Sequence, residues 1–329
     1  MHVLIVKMSS MGDIIHTLPA VSDAVNALPN IQFDWVAEEV FTEIPTWHNN
    51  VQQVIPIALR RWRKKPWRAL QKHEIQQFYQ QLRLQHYDKV IDAQGSIKSA
   101  ITTRMSRGFR VGMDKNSVRE KFTDLAYQKK FSVPRKQHAI NRLRQLFAQA
   151  LEYPLPETTA HYGILKERLN LTSMKLDLPD NYVIFVPNAS WTAKCWPENS
   201  WSLLLEKTAG QQIPVYIPWG NQTEKKRAER LSGNHPYVNV LPALSLSEIA
   251  ILFSHAKTAV CVDTGLSHLA AALATPTITL YGPTDPRLIG TMGPAQIHLQ
   301  SNYSSKTALL EIPVETVWQT LSQVINNIK

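Results

Sequence analysis

A carboxylate in the first loop of the chain has the type and position of a general base. The loop is Lys7-Met8-Ser9-Ser10-Met11-Gly12-Asp13, between a short apolar run and a helical pattern. Gly12 permits a tight turn, and Asp13 is predicted at or near a helix N-terminus. Such a carboxylate can take a proton from a bound hydroxyl, or it can simply cap the helix. The loop has neither a GxGxxG nor a GxxxxGK[ST] pattern, which counts against a dinucleotide site and a P-loop.

Two loops in the second half contain residue types that hold a diphosphate. Val262-Asp263-Thr264-Gly265-Leu266-Ser267-His268 follows a buried strand and opens a helix. The first amides and the dipole of that helix favour a phosphate. Upstream, the run from Asn188 to Lys194 supplies hydroxyls and a cation, and Lys194 could neutralise a diphosphate leaving group. Ordinary strand-to-helix loops are the alternative for either motif alone.

Metal and thiol chemistry have little support in the sequence. The chain has no DxD pair, no HExxH motif and no CxxC spacing, so we expect no bound metal and no cofactor. The two cysteines, Cys195 and Cys261, suit a reducing compartment, and Cys261 is predicted to pack inside a strand. Without a signal-peptide pattern or an apolar run of about 20 residues, the protein is expected to be cytoplasmic and not to span a membrane.

Positive charge is concentrated in the first half of the chain. Residues 1–150 contain 23 Lys and Arg against 12 Asp and Glu, whereas residues 151–329 contain 13 against 14. The densest run is Arg60-Arg61-Trp62-Arg63-Lys64-Lys65-Pro66-Trp67-Arg68. This asymmetry predicts an anionic partner, which could be nucleic acid, a membrane surface or a phosphorylated substrate. A solvated basic face is the alternative.

The elements that must position these loops alternate between strand and helix. In the first half, strands are predicted at 3–6, 32–36, 54–57 and 89–92, and helices at 16–27, 75–84, 97–105 and 139–151. In the second half, strands are predicted at 182–186, 215–217, 238–241, 259–262 and 277–280, with helix starts near Pro197 and at Ser245. The pattern predicts an α/β fold of two Rossmann-like, doubly wound parallel sheets.

The proline-rich stretch between the two halves predicts the domain organisation. We expect an N-terminal domain over 1–152, a linker region over 153–180, a C-terminal domain over 181–312 and a final helix over 313–329. The sequence leaves open whether that helix packs back on the N-terminal domain. In two such domains, ligands are expected outside the carboxyl ends of the strands, in an interdomain cleft.

Several motifs in order resemble the lipopolysaccharide heptosyltransferases, most closely the members that add the first heptose. The motifs are VLIVKMSSMGDIIHTLPA, VIPIALRRWRKKPW, VIDAQGSIKSA, QHAINRLRQLF, IPWGNQTEKKRAERL, VDTGLSHLAAAL and TLYGPTDP. The resemblance covers essentially the full chain and implies a GT-B fold. It further implies an ADP-heptose donor (ADP-L-glycero-D-manno-heptose) on the C-terminal domain and a Kdo-lipid A acceptor on the N-terminal one. The implied reaction is inverting and belongs to lipopolysaccharide inner-core synthesis.

The resemblance also implies roles for individual residues. Asp13 corresponds to the catalytic base for the Kdo hydroxyl, and Lys194 to the lysine that stabilises the diphosphate. The donor-binding positions are Ser190, Glu224 for the ribose hydroxyls, Asp263 for the heptose, and Thr264, Gly265 and His268 for the phosphates. The acceptor-binding positions are Lys7, Ser10, Arg60, Arg61, Arg63 and Lys64. One departure is Ala189-Ser190, where the family has two threonines.

Two alternative functions are kept. The first is the heptosyltransferase that acts one sugar later, whose opening loop lacks the run containing Ser9 and Ser10. The second, from a different class, is a basic nucleic-acid-binding protein, although no RNP, KH or helix-turn-helix pattern is present. Under the favoured hypothesis, a heptosyltransferase that adds the first heptose, we expect the protein to bind no nucleic acid and no protein partner. We expect it to act as a peripheral enzyme at the cytoplasmic face of the inner membrane.

Overall fold

The computed structural model describes residues 1–67, 73–169, 178–233, 235–301 and 312–327. The chain divides into two compact units, Met1–Arg168 and Leu169–Lys329. In the described part of the chain, no helix is both long and apolar enough to cross a bilayer.

The first unit is built on a parallel sheet whose described strands follow the order β3-β2-β1-β4-β5-β6. Its central strand is buried on both faces because helices cover the sheet on each side. The strands are β1 His2–Val6, β2 Gln32–Glu38, β3 Val51–Ile57, β4 Tyr87–Asp92, β5 Gly108–Met113 and β6 Lys129–Phe131. The helices are α1 Met11–Ile15, α2 Leu18–Ala27, α3 Glu43–Thr46, α4 Leu59–Lys64, α5 Glu74–Leu82, α6 Ile97–Met105 and α7 Ala139–Leu151.

The second unit repeats this topology, with the order β12-β11-β10-β7-β8-β9 among its described strands. Three buried aromatic side chains lie in its core: Phe185 and the edge-to-face pair Trp196 and Trp201. The strands are β7 Val183–Val186, β8 Val215–Ile217, β9 Val238–Val240, β10 Thr258–Val262, β11 Thr277–Tyr281 and β12 Gln296–Gln300. The helices are α8 Glu198–Gly210, α9 Gln222–Ser232, α10 Leu246–His255, α11 Gly265–Ala272, α12 Pro286–Ile289 and α13 Val314–Asn327.

The predicted doubly wound sheets are present, but three strands had not been predicted. These are β5, β6 and β12. Each lies at or next to the edge of its sheet, and sequences such as Lys-Lys-Phe in β6 have no continuous apolar run. Edge strands need less apolar sequence because part of each remains exposed to solvent, so periodicity alone does not find them.

The boundary between the units lies later than the sequence analysis placed it. The first unit ends at Arg168, so the residues from 153 to 168 belong to it rather than to a linker. Arg144 of α7 donates to the carbonyl oxygens of Pro156 and Thr158, and Ile164 forms a β-bridge with His48. Most of the remaining predicted linker, 170–177, is outside the described residues.

The final helix packs in the core of the second unit. Val317 and Leu321 of α13 are fully buried there, and the helix contacts α8, β10 and β11. The apolar face of α13 covers the sheet of its own unit.

Candidate functional site

In each sheet the order of the strands reverses at one point, the topological switch point, and a crevice forms there. The switch points lie between β1 and β4 in the first unit and between β7 and β10 in the second. Ligands of doubly wound sheets bind outside the carboxyl ends of the strands at such points. The loops singled out by their chemistry follow β1, β7 and β10, so the topology brings them to these two places.

In the first unit, Asp13 lies in the first turn of α1 and is fixed by the residue that begins the helix. The backbone N–H and the hydroxyl of Ser10 both donate to Asp13 Oδ2, each at 2.9 Å. Lys7 Nζ lies 3.6 Å from Asp13 Oδ1 and donates to the carbonyl oxygen of Ala93 at 3.0 Å. The structure thus brings Lys7, Ser10 and Asp13 together, and the predicted helix-start position of Asp13 is confirmed.

The environment of Asp13 keeps its carboxylate ionised. Burial by itself would raise the pKa of Asp13. The nearby Lys7 ammonium, the hydrogen bonds from Ser10 and the charge of His16 outweigh burial and hold the pKa below its usual range. About a third of the side chain remains exposed, so an incoming hydroxyl can reach the carboxylate.

The loop after β4 holds the Asp13 loop in place, which the sequence analysis did not predict. Gln94 Oε1 accepts from the backbone N–H of Met8 at 2.8 Å and of Ser9 at 3.4 Å. Asp92 is buried and accepts from the Gln94 and Gly95 amides and from the Tyr127 hydroxyl. Burial raises the pKa of Asp92. The sequence signal was the DAQGS turn, because polar residues directly after a buried strand face the same edge as the β1 loop.

The predicted acceptor-binding cations lie in α4, which follows β3 at this same edge of the sheet. The Arg60 backbone N–H donates to Glu38 Oε1 at 2.8 Å, and its guanidinium lies over the Phe41 ring. The guanidinium of Arg61 is held between Glu39 and Glu74. Arg63 and Lys64 are exposed, and within the described ranges no ion pair is recorded for either.

Trp62, within the same run, packs at the margin of the hydrophobic core. Its indole N–H donates to Glu74 Oε2 at 2.8 Å, and its ring packs edge-to-face on Phe78 at the margin of the core. Trp67 is 80% exposed. Of the two tryptophans in this basic run, Trp62 is therefore structural.

In the second unit, Lys194 and Asp263 form an ion pair at the switch point. Lys194 Nζ donates to Asp263 Oδ2 at 2.7 Å, and the Thr284 hydroxyl donates to the same oxygen. His268 Nε2 lies 3.8 Å from Asp263 Oδ1. Asp263 is almost fully buried, whereas Lys194 keeps a fifth of its side chain exposed. A lysine ammonium has three donors, so Lys194 can hold Asp263 and still contact a phosphate oxygen.

Thr264 is the N-cap residue of α11 and forms a capping box with Ser267. The Ser267 hydroxyl donates to the Thr264 carbonyl oxygen at 2.7 Å, so the residue pair closes the first turn. The amides of the first turn have no partners within a helix, and the dipole favours negative charge. Lys194, Asp263, Thr264, Gly265 and His268 thus meet at one place. Thr284, which had not been predicted, joins them because it lies three residues after the end of β11, at the same edge of the sheet.

Ser190 and Glu224 lie in a neighbouring pocket of the same unit, of about 650 Å³. Glu224 accepts from the Gly220 N–H at 2.8 Å and from the Asn221 side-chain amide at 2.7 Å, which stabilises the start of α9. Ser190 is exposed, whereas Ala189 packs against the hydrophobic core. Arg227, which sequence reasoning missed, lines the pocket and donates to the carbonyl oxygens of Pro187 and Trp196.

Metal-ligating residues do not cluster in the part of the chain that the structure describes. No group of three or more His, Cys, Asp or Glu side chains is placed there to hold an ion. Cys261 is fully buried in β10, and burial raises the pKa of its thiol.

Comparison with known proteins gives the same result from family models, sequences and structures. The model of glycosyltransferase family 9 (heptosyltransferase) matches residues 75–313. The chain is 47% identical to lipopolysaccharide heptosyltransferase 1 of Pseudomonas aeruginosa over 304 residues, which is 92% of this chain and 84% of that protein. It is also 47% identical to lipopolysaccharide heptosyltransferase 1 of Escherichia coli K12, over 90% of this chain and 92% of that protein.

Two structures of an E. coli heptosyltransferase with bound nucleotide match nearly the whole chain. The E. coli heptosyltransferase WaaC with ADP superposes with a TM-score of 0.90 at 44% identity, covering 98% of this chain and 100% of that one. WaaC with ADP-2-deoxy-2-fluoro heptose gives 0.88 at 43% identity, covering 98% and 99%. E. coli heptosyltransferase II, at 18% identity, shares the fold with a TM-score of 0.80. The predicted GT-B fold class is confirmed.

Proposed function

The chain belongs to glycosyltransferase family 9, the heptosyltransferases, and on that premise we propose that it transfers L-glycero-D-manno-heptose from ADP-heptose to the Kdo of Kdo-lipid A. The observation that carries this proposal is the 47% identity to lipopolysaccharide heptosyltransferase 1 over nine tenths of the chain. The acceptor distinguishes this activity from that of the heptosyltransferase acting one sugar later. That rival has the fold but only 18% identity.

The donor is proposed to bind at the second switch point. Its diphosphate would meet Lys194 and the start of α11, and Asp263, held by Thr284, would contact the heptose. Negative charge develops on the diphosphate as the glycosidic bond breaks. A preorganised ammonium and helix N-terminus stabilise that charge more in the transition state than in the ground state.

Asp13 is proposed as the base that takes the proton from the attacking Kdo hydroxyl. An inverting displacement needs one base opposite the leaving group and forms no covalent enzyme intermediate. The ionised carboxylate, fixed by Ser10 and exposed on one side, suits this role. Asp13 can both cap α1 and act as a base. The hydrogen bonds from Ser10 hold its carboxylate without using all of the acceptor positions.

The proposal needs no metal and no cofactor. Lys194 and the helix start take the part that a cation plays in many nucleotide-sugar enzymes, and the basic residues Arg60, Arg63 and Lys64 are proposed to meet the acidic acceptor. The enzyme would then act peripherally at the cytoplasmic face of the inner membrane, where anionic groups attract such cations.

The proposed reaction is tested by product analysis. Purified protein is incubated with ADP-heptose and Kdo-lipid A, with and without EDTA, and the acceptor is examined by mass spectrometry and NMR. We expect one added heptose with an α-linkage from the β-linked donor, and the same rate with EDTA. An unmodified acceptor would refute the transfer, a retained configuration would refute the inverting mechanism, and loss of activity with EDTA would refute the metal-free one.

A further inference from the structure

The helix α6 presents its apolar side chains to solvent rather than to the core. Its buried positions include Ser99, Ala100, Thr102 and Thr103. Ile97 and Ile101, one turn apart, are each 55% exposed. Lys98 and Arg104 are also exposed on this outward side of the helix. This is the reverse of the usual pattern, in which the apolar stripe of a surface helix faces the core.

A second pair of exposed apolar side chains lies beside this helix. The short helical turn at 123–126 packs against α6, and Glu120 accepts from the Ile97 N–H at 2.8 Å. Phe122, directly before this turn, is 77% exposed, and Leu125, within the turn, is 72% exposed. Four large apolar side chains of neighbouring elements therefore lie in solvent, accompanied by exposed cations. We name these eight residues the Ile97 surface: Ile97, Lys98, Ile101, Arg104, Arg119, Lys121, Phe122 and Leu125.

A group of neighbouring exposed apolar side chains on a globular domain marks an interaction site, whereas single exposed apolar side chains are normal. Exposed apolar side chains accompanied by Lys and Arg suit an anionic membrane surface, which can bury the apolar groups among its headgroups and attract the cations to its phosphates. We propose that the Ile97 surface docks on an anionic phospholipid bilayer, with its isoleucines and Phe122 among the headgroups and its cations on the lipid phosphates.

Charge favours a bilayer over a second copy of the chain. In a two-fold dimer the same patch meets itself, so the four cations of the Ile97 surface would face four like charges. Both acidic residues of this segment are already engaged: Glu120 accepts from the Ile97 N–H at the start of α6, and Asp124 is buried and paired with Lys130. An anionic bilayer offers the complementary charge, and it also accepts the apolar side chains that a solvated basic face would leave in water.

The position of the surface connects it to the reaction, and this step rests on the proposed function. The helix α6 begins three residues after Gln94, which holds the backbone of the Asp13 loop. Docking through α6 would place this edge of the first sheet at the membrane. A lipid-linked acceptor could then present its sugar to Asp13 without leaving the bilayer.

The binding test uses vesicles without any substrate. Full-length protein is sedimented with vesicles of phosphatidylcholine plus phosphatidylglycerol, or of phosphatidylcholine alone, as wild type and as the triple variant Ile101→Ser, Phe122→Ser, Leu125→Ser. The control triple variant is Leu84→Ser, Leu155→Ser, Leu203→Ser, which replaces exposed leucines elsewhere. We expect wild type and control to bind the anionic vesicles and the Ile97-surface variant to bind about a hundredfold more weakly. Equal binding by all three proteins would overturn the proposal.

The remaining outcomes also decide the question. A concentration-dependent dimer of the wild type that the Ile97-surface variant loses, without vesicle binding, would assign the surface to a second copy and refute the membrane role. Activity provides a separate readout. The variant should be slow on Kdo-lipid A in vesicles and unimpaired on a water-soluble, deacylated acceptor. If wild type transfers heptose to neither acceptor, the proposed function fails, whereas vesicle binding still tests the Ile97 surface.

Discussion

At the scale of single residues, a substitution of Asp13 can distinguish a catalytic role of its carboxylate from a role in capping α1. We predict that Asp13→Asn folds normally and loses turnover by about 10²- to 10⁴-fold, the usual effect of removing a general base. The amide oxygen can still accept from Ser10, so the start of α1 is retained while the basicity is removed. The measurement is the initial rate of ADP release, with the melting temperature as the check on folding.

Glu248→Gln is the matched control for Asp13→Asn. Glu248 accepts from the Ser245 N–H at 2.7 Å at the start of α10, so it caps a helix without lying at a switch point. It should keep wild-type activity. An Asp13→Asn enzyme that retained more than half of the wild-type rate would leave Asp13 with the capping role alone.

Lys194 tests the donor side of the site. We predict that Lys194→Ala raises the KM for ADP-heptose and lowers kcat, while the KM for the acceptor barely changes. The reason is that Lys194 meets the diphosphate both before and during bond breaking. Steady-state kinetics with each substrate varied in turn give the three constants.

The control for Lys194 is Lys207→Ala, which removes an ion-paired lysine from the same unit. Its kinetics should match the wild type. If Lys194→Ala instead lost acceptor affinity with donor affinity intact, Lys194 would belong to the acceptor site.

At the scale of elements, the loop after β4 is expected to position the loop after β1. We predict that Gln94→Leu lowers kcat at least tenfold, because the Met8 N–H loses its acceptor and the Asp13 loop moves. Gln94→Glu keeps an acceptor oxygen and should restore much of kcat. Comparable losses of kcat in both variants, with unchanged donor KM, would show that Gln94 does not act through this hydrogen bond.

The basic helix α4 is expected to contribute through Arg63 and Lys64, which form no ion pair with any residue that the structure describes. We predict that Arg63→Ala with Lys64→Ala raises the acceptor KM by roughly tenfold or more at low salt, since each cation near an anionic surface contributes about 1 kcal/mol. Arg61 is a poorer choice because its guanidinium already holds Glu39 and Glu74. The acceptor KM is measured at two salt concentrations.

Lys115→Ala with Lys136→Ala removes the same charge from exposed positions of the first unit and serves as the control. Its acceptor KM should stay close to that of the wild type. Equal KM values for the wild type and the α4 variant at low salt would identify α4 as a solvated basic face.

At the scale of the whole molecule, His48 makes the stability of the first unit depend on pH. Burial, together with the charges of His161 and Arg168, lowers the pKa of His48 to about 4. The neutral ring accepts from the Asn50 N–H on Nδ1 and contacts the Ser22 hydroxyl on Nε2. Between pH 6.5 and 4 the unfolded chain binds a proton at His48 that the folded chain does not bind, so stability falls as the pH falls.

We therefore predict that the wild type loses more stability between pH 7.5 and pH 5 than His48→Gln does, by an amount on the order of 1 to 2 kcal/mol. Thermal melts at the two pH values measure the difference. His255→Gln, at the exposed end of α10, should show the same pH dependence as the wild type. A pH dependence in His48→Gln as steep as that of the wild type would contradict the assignment.

Much of the architecture could be predicted from the sequence because periodicity reports burial. The continuous apolar runs of β1 and β7 mark strands covered on both faces, and the helices α6 and α7 begin and end where the pattern placed them. The edge strands β6 and β12 and the neighbouring strand β5 were missed because strands that stay partly exposed need no such runs. The prediction of a linker over 153–168 is wrong because the segment has no apolar period: it is held by the buried side chains of Tyr153 and Tyr162 and by hydrogen bonds of Arg144 and Arg168.

The candidate site was predicted where a residue's chemistry is local to its loop. The helix-start positions of Asp13 and of the residues that open α11 follow from spacing alone. Gln94, Thr284 and Arg227 were missed because their importance lies in partners 21 to 86 residues away along the chain. The strand order that brings these partners together is a property of the folded sheets, and no local pattern encodes it.

The acceptor decides the central claim most directly. ADP release from ADP-heptose is measured with Kdo-lipid A, with the same acceptor already carrying its first heptose, and without acceptor. We predict rapid release with Kdo-lipid A and only background release in the other two reactions. Release that requires the acceptor already carrying heptose would show that the protein acts one sugar later, and no release above background with either acceptor would contradict the proposed activity.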